Sequence, residues 1–276
     1  MKKIVCTTCP HHCSLEEGQT GLCGARRAQN GKVVCINYGK VTSLSLDPIE
    51  KKPFKRFFPG SKILSVGSFG CNLSCPFCQN YKIVKAPHDR VVSAFVSPKE
   101  LIEQAVKLLP EGNIGLAYVY NEPLIGWEYV LDCAKLAKER GLVNVIVSNG
   151  YCNPAPLVSL LPYIDAANID LKCFSNTYYK KLGGSLEPVK NTIKTLYKQC
   201  HVEVTTLIIP DENDSVQETE ELSEWLASVG RDIPLHISKF YPRYHYVGRT
   251  PTPVSTVYRL AGIARKYLDT VYEGNC

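Results

Sequence analysis

The chain has 276 residues, 45% of them hydrophobic, with a formal net charge of +6. That length suits one large domain with a small appendage, and the hydrophobic share is enough for a buried core. No apolar stretch approaches the roughly 20 residues of a membrane span, and the basic residues form no long run that would call for nucleic acid.

Residues 1–60 are read as a Cys-rich N-terminal module. Its start, Met1-Lys2-Lys3-Ile4-Val5-Cys6, lacks the long apolar segment of a signal peptide, so a cytoplasmic protein is expected. Thirteen cysteines is an odd number, and reduced, metal-binding thiols fit that setting better than disulfides. Cys6, Cys9, Cys13 and Cys23 lie in one short window rich in turns. Four such thiols suit a tetrahedral zinc site or a second iron-sulfur cluster, and spacing does not choose between them. Zinc is favoured by the smallness of the module's core. His11 or His12 can replace one thiol, and unconnected reduced cysteines are the plainer alternative. Residues 32–38 and 41–46 are expected to pair as a hairpin turning at Gly39-Lys40. The module's boundary is expected near Pro59-Gly60.

Over residues 61–276 short β-branched runs alternate with amphipathic stretches. Strands are predicted at 62–67, 114–120, 143–147, 166–171, 202–209 and 234–238, nearly unbroken apolar runs as in parallel strands covered by helices. Ser97-Pro98-Lys99-Glu100 offers an N-cap serine, a proline at the first helical position and a glutamate at N3. Leu101, Ala105, Leu108 and Leu109 follow at helical spacing. Further helices are predicted over 127–140, stopping at Gly141, and over 154–161, 187–199, 215–229 and 253–267. Six strand-helix repeats predict an α/β fold, a parallel barrel or open partial barrel with a C-terminal helix. A complete eightfold barrel would be tight in this length.

The first predicted strand runs into Cys71-Asn72-Leu73-Ser74-Cys75-Pro76-Phe77-Cys78. Three clustered thiols leave a four-iron cubane, or zinc, one ligand short, a position that a substrate or cofactor can fill. Folds of this class bind ligands in the loops after strand C-termini. The second strand ends in Tyr120-Asn121-Glu122-Pro123 and the third in Ser148-Asn149-Gly150. Asp170 and Lys172 lie two apart at the end of the fourth, so both side chains can point to one side. A buried pair of this sort requires a partner or ligand. His236 sits on the sixth strand, where a lone histidine is more often a satisfied core residue.

The C-x3-C-x2-C spacing, with Phe77 immediately before the third cysteine, resembles the cluster motif of radical S-adenosylmethionine (SAM) enzymes. The resemblance implies a [4Fe-4S] cluster on Cys71, Cys75 and Cys78 with SAM filling the fourth iron site. It implies reductive cleavage of SAM to methionine and a 5'-deoxyadenosyl radical that abstracts hydrogen. It also implies a partial (β/α)6 barrel, in agreement with the independent strand count. Asn121 and Glu122 stand where related enzymes carry a Gly-Gly-Glu-like motif for the SAM amino group, although the glycines are absent here. Asp170-Leu171-Lys172 resembles a SAM-contacting segment of pyruvate formate-lyase activating enzymes. Ser148 and Asn149 are implied to bond the ribose or carboxylate, and His236 to reach the adenosine end.

The N-terminal cysteines, the segment Asp47-Pro48-Ile49-Glu50-Lys51-Lys52-Pro53, the cluster loop and the two later strand-end motifs occur in an order that resembles one subgroup. These are the AmmeMemoRadiSam-system radical SAM enzymes, often labelled pyruvate formate-lyase activating enzyme-like, and the likeness covers nearly the whole chain. Members commonly carry further cysteines after the final Gly-Asn, where this sequence reads Glu273-Gly274-Asn275-Cys276. The implied partners are a reductant such as ferredoxin or flavodoxin and a protein substrate or an AmmeMemoRadiSam-system partner. Activating enzymes generate a glycyl radical on a partner, but the motif does not imply this chain's substrate.

Two other readings remain open at this stage. One is a thiol-disulfide oxidoreductase using Cys75 and Cys78, which needs a nucleophilic thiol of lowered pKa. The other is a zinc-dependent scaffold in which neither cysteine set is catalytic. In the radical reading Cys71, Cys75 and Cys78 are all required for SAM cleavage, while loss of Cys6 or Cys9 mainly lowers stability or partner binding.

Overall fold

A computed structural model describes residues 3–276, so Met1 and Lys2 of the N-terminal module lie outside the described residues. In the N-terminal part, β1 (Ile4–Val5) pairs antiparallel with β2 (Ser14–Leu15), and β3 (Arg26–Gln29) with β4 (Lys32–Cys35). β5 (Lys40–Val41) pairs with the distant β8 (Ala94–Phe95). The central sheet runs β6 (Ser43–Pro48), β7 (Lys62–Gly67), β9 (Asn113–Tyr118), β10 (Val143–Ser148), β11 (Ala166–Asp170), β12 (His201–Ile208), β13 (Leu235–Lys239) and β14 (Val271–Gly274) in that spatial order. Every neighbouring pair is parallel except β6, which is antiparallel to β7. The expected mostly parallel α/β sheet is therefore present, with all six expected strands and a seventh parallel strand, β14.

The hairpin expected at Gly39-Lys40 does not form. Asn30 and Gly31 turn the chain instead, with φ of 52° and 74°, joining β3 to β4. Two successive positive φ values are what a two-residue hairpin turn requires, and Asn-Gly supplies them with little strain. The downstream run becomes β6, an edge strand of the main sheet, because its partner is β7.

Helices form where their caps allow. α2 (Pro98–Lys107) opens on the expected capping box: Glu100 N donates to Ser97 Oγ at 3.3 Å and Ser97 N to Glu100 Oε2 at 2.7 Å. α3 (Trp127–Glu139) gives way to Gly141 at a φ of 69°. α4 (Pro154–Leu160), α6 (Leu186–Tyr197), α7 (Val216–Val229) and α8 (Val254–Ala264) follow the predicted segments. The single-turn α1 (Tyr81–Val84) and short α5 (Asn176–Lys181) were not predicted. No helix among the described residues is long and apolar enough to cross a membrane.

Alternation along each strand separates two faces. Leu64, Val66, Leu116, Ile146, Ile169, Val204 and Leu235 join the core beneath the helices. Ile63, Ala117, Val119, Val145 and Ala166 face the other way and are covered by Ile49 and Phe54, both fully buried, from the segment between β6 and β7. The charged motif at 47–53 is thus the lining of the inner face rather than a free turn. Lys52 is buried there, with its Nζ 2.7 Å from Asp47 Oδ2 and 3.3 Å from Tyr120 Oη. A buried ammonium without such partners would be strongly disfavoured.

Candidate active site

The loop after β7 carries Cys71, Cys75 and Cys78 and is pinned by backbone contacts. Gly70 has a φ of 88°, and a Cβ there would lie 2.5 Å from the carbonyl oxygen of Cys23, so only glycine fits. Cys71 N donates to that same carbonyl at 3.0 Å, Ser74 N to Leu182 O at 2.7 Å, and Cys78 N to Cys75 O at 3.3 Å. Lys85 Nζ donates to Leu73 O and, at 3.2 Å, to Ser74 Oγ. His245 N donates to Pro76 O at 2.9 Å, and Tyr244 stacks on Tyr81 at 4.7 Å, so the chain after β13 braces the loop from the far side. Phe77 is buried and faces Tyr246 with ring centroids 6.1 Å apart.

Two strand ends reach this loop. Asn149, after β10, donates from Nδ2 to Cys71 Sγ at 3.5 Å and to Asn72 Oδ1 at 3.0 Å. Lys172, after β11, pairs with Asp170 Oδ2 at 2.7 Å. Burial works against the Lys172 ammonium, but Asp170, Cys75 and Cys78 outweigh it and hold its pKa up. Burial pushes the Cys71 thiol well up, with Glu122 and Cys75 adding to the shift. Burial also pushes Cys75 up to about 11, against the lowering influence of Lys172, and raises Cys78. Desolvation thus keeps all three thiols protonated at neutral pH, and any metal that binds them must release those protons.

Glu122 is buried and accepts three hydrogen bonds within the chain. Its Oε1 accepts from Ser148 Oγ at 2.7 Å and Leu124 N at 2.9 Å, and its Oε2 from Asn149 N at 2.8 Å. Burial lifts its pKa to about 7 in spite of those donors. Asn121 likewise accepts from Ser68 N at 2.9 Å and donates to Phe69 O and Glu122 O, both at 3.2 Å. Asn121, Glu122 and Ser148 therefore clasp the loops after β7, β9 and β10 together.

His236 is buried on the inner face, with Nε2 2.5 Å from Glu203 Oε2. Register pairs Asp170 with Thr205 and Thr205 with His236, so His236 lies in the same row as Asp170, two strands away. Glu203 was missed by the sequence reading, yet it is fully buried and also accepts from His201 and the amides of Lys55 and Arg56. The signal was present in His201-Val202-Glu203-Val204, whose alternation puts His201 and Glu203 on one face of a strand. Asn72 was also missed. It donates from Nδ2 to Tyr151 O at 2.5 Å, and its own carbonyl contacts His11 Nε2 at 2.7 Å.

The N-terminal thiols share one locale. Cys6 N donates to Cys13 O at 2.9 Å. Burial pushes Cys9 up to about 11, and the proximity of Cys23 and Cys6 adds to that shift. Burial raises Cys23 as well, with Cys6 and Cys13 contributing. Four thiols close enough to feel each other's charge are a donor set suited to a tetrahedral metal. His11 turns toward Asn72 and Tyr151 rather than toward the thiols, and His12 is exposed. Among the described residues no group of three His, Cys, Asp or Glu side chains stands in coordinating geometry.

A model described as the Radical SAM superfamily matches residues 65–226. An uncharacterized protein of Methanocaldococcus jannaschii is 38% identical over 276 residues, covering 99% of this chain and 81% of that protein. A second protein of the same organism, named provisionally as a glycyl-radical enzyme activating enzyme, is 29% identical over 217 residues, covering 74% of this chain and 85% of its own length. The crystal structure of Streptococcus suis SuiB bound to S-adenosylmethionine superposes with a TM-score of 0.59 at 14% identity, covering 75% of this chain and 48% of that chain, a likeness of fold.

Proposed function

Because the chain belongs to the radical SAM superfamily, we propose that Cys71, Cys75 and Cys78 hold a [4Fe-4S] cluster beside a bound SAM. The cluster would supply the electron that splits SAM to methionine and a 5'-deoxyadenosyl radical for hydrogen abstraction. The observation that carries this reading is the meeting of the three-thiol loop with Asn149 and the Asp170–Lys172 pair at the C-terminal edge of the sheet.

The residues divide the work by their contacts. Lys172 sets a positive charge next to Cys75 and Cys78, which favours their thiolate forms. Asn149 offers its amide to Cys71 Sγ. Asp170 is the least enclosed member of its ion pair and is the carboxylate placed to accept from the SAM amino group or ribose. Asn121, Glu122 and Ser148 hold together the loops that carry these groups, and Phe77 and His236 would add further contacts to SAM. The Cys-rich residues 1–60 serve as a module carrying zinc or a second iron-sulfur cluster on Cys6, Cys9, Cys13 and Cys23, set against the catalytic residues 61–276.

The provisional activating-enzyme relative supports a protein partner as the hydrogen donor, with glycyl-radical activation as one form. A low-potential reductant such as ferredoxin or flavodoxin would supply the electron. An AmmeMemoRadiSam-system partner and a cytoplasmic setting complete the proposal.

The thiol-disulfide alternative fits the environment of Cys75 less well. A nucleophilic cysteine needs a lowered pKa, whereas burial pushes Cys75 up to about 11. The test is anaerobic reconstitution with iron and sulfide, followed by electron paramagnetic resonance of the reduced protein. A signal altered by SAM is expected, and a reconstituted cluster whose signal ignores SAM would refute the proposal.

A further inference from the structure

The four N-terminal thiols are fastened to the cluster loop at both ends of their segment. The carbonyl of Cys23 receives the amide of Cys71, and Gly70 exists as glycine because that carbonyl presses against it. His11 Nε2 reaches the Asn72 carbonyl at 2.7 Å, and Thr7 O and Thr8 O accept from Asn153 Nδ2 and N at 2.8 and 3.1 Å. Asn72 then bonds to Asn149, which touches Cys71 Sγ. Cys23 is therefore one hydrogen bond from Cys71, and His11, between Cys9 and Cys13, is one from Asn72.

Arg26 also ties the module to Glu128 at 2.7 Å and Asn37 ties it to Phe69 O at 2.9 Å, but its own apolar core is small. Its apolar core is Cys6, Leu15 and Ala28, with Ile4, Cys13 and Val33 packed around them, so two of the thiol residues are themselves part of the core. Cys23 belongs to a second small cluster with Ala25, Phe69 and Ile125, and Phe69 is in the loop that leads to Cys71. A core of this size does not fix a fold without a further cross-link. A metal on the four thiols would provide that cross-link and would fix the Cys9 and Cys23 segments on which the cluster loop rests.

The geometry points to a thermodynamic coupling between the two cysteine sets: metal occupancy at Cys6, Cys9, Cys13 and Cys23 strengthens cluster binding at Cys71, Cys75 and Cys78, and the converse. This rests on the reading that the N-terminal thiols bind a metal. Coupling between binding sites is reciprocal, so it is measurable from either end, and its usual size is about 5–150-fold in affinity. Asn72 and Gly70 act as positioning residues in this scheme, since they transmit the contact and ligate nothing.

The test titrates Zn²⁺ into the full chain against a chromophoric chelator under anaerobic conditions. One sample is the protein with its barrel cluster loaded, and the other is Cys71→Ala/Cys75→Ala/Cys78→Ala, in which only the N-terminal thiols remain. About tenfold or more tighter zinc binding in the cluster-loaded protein is expected. The Asn72→Ala variant, still cluster-loaded and shown by iron content to be so, should lose most of that difference. If Asn72→Ala fails to fold, His11→Ala, which removes the contact with the Asn72 carbonyl, takes its place. Equal zinc affinity with and without the cluster would overturn the coupling while leaving the N-terminal metal site intact. Absence of stoichiometric zinc binding in both samples would overturn the underlying metal-site reading, and the coupling with it.

Discussion

His236 Nε2 lies 2.5 Å from Oε2 of Glu203, a carboxylate closed off from solvent on the inner face of the sheet. Burial acts to raise the Glu203 pKa, but His201, His236 and the amides of Lys55 and Arg56 outweigh it and lower it from 4.5 to about 2. A carboxyl group depressed in the folded state stabilises the protein above its unfolded pKa and loses that contribution as pH falls through the folded value. Stability against urea should therefore drop between pH 4.5 and about 2 in the wild type. Glu203→Gln should be less stable near neutrality by ~2–4 kcal/mol, since it leaves buried donors poorly matched. It should also show a flatter acid limb, and identical acid limbs in the two proteins would count against this role.

Asp170 and Lys172 separate two tasks at the sheet edge. Asp170→Asn keeps the shape of the side chain and removes its charge, and SAM binding measured by equilibrium dialysis should weaken about tenfold, or ~1.4 kcal/mol. Lys172→Met removes the cation beside Cys75 and Cys78, so iron retained per chain after reconstitution should fall. Unchanged SAM affinity in the first variant, or unchanged iron in the second, would remove that residue from the site.

Phe54 is fully buried on the inner face, packed against Phe57 at 5.9 Å. Phe54→Ala should cost ~3–5 kcal/mol of stability, the range for a large aromatic deleted from a core. Its folded fraction should still bind SAM with wild-type affinity. A lost urea midpoint together with lost SAM affinity in the folded protein would mean that the 47–53 segment reaches the ligand.

The sheet was legible because its parallel strands are short β-branched runs, and α2 and α3 because Ser97, Glu100 and Gly141 mark their ends. β14 escaped because Val271–Gly274 has one β-branched residue and ends in glycine. β6 was assigned to a hairpin because its pairing with β7 spans a connection that bends back to deliver Ile49 and Phe54 to the inner face, a decision made by tertiary burial. The cysteine loop could be placed from its position after a strand. The roles of Asn72 and Glu122 could not, since both depend on contacts between loops distant in sequence, such as Asn72 with Asn149 and Glu122 with Ser148. Spacing likewise showed four N-terminal thiols but not that Cys23 lies against Cys71.

The central claim is that Cys71, Cys75 and Cys78 carry the chemistry. The most direct measurement quantifies 5'-deoxyadenosine formed from SAM by the reduced, reconstituted protein, with Cys75→Ala treated identically. Product from the wild type and none above background from Cys75→Ala is the expected result. Equal product from both would contradict the account, as would a wild type that holds its four-iron cluster, binds SAM and, with its protein partner and reductant supplied, leaves SAM uncleaved.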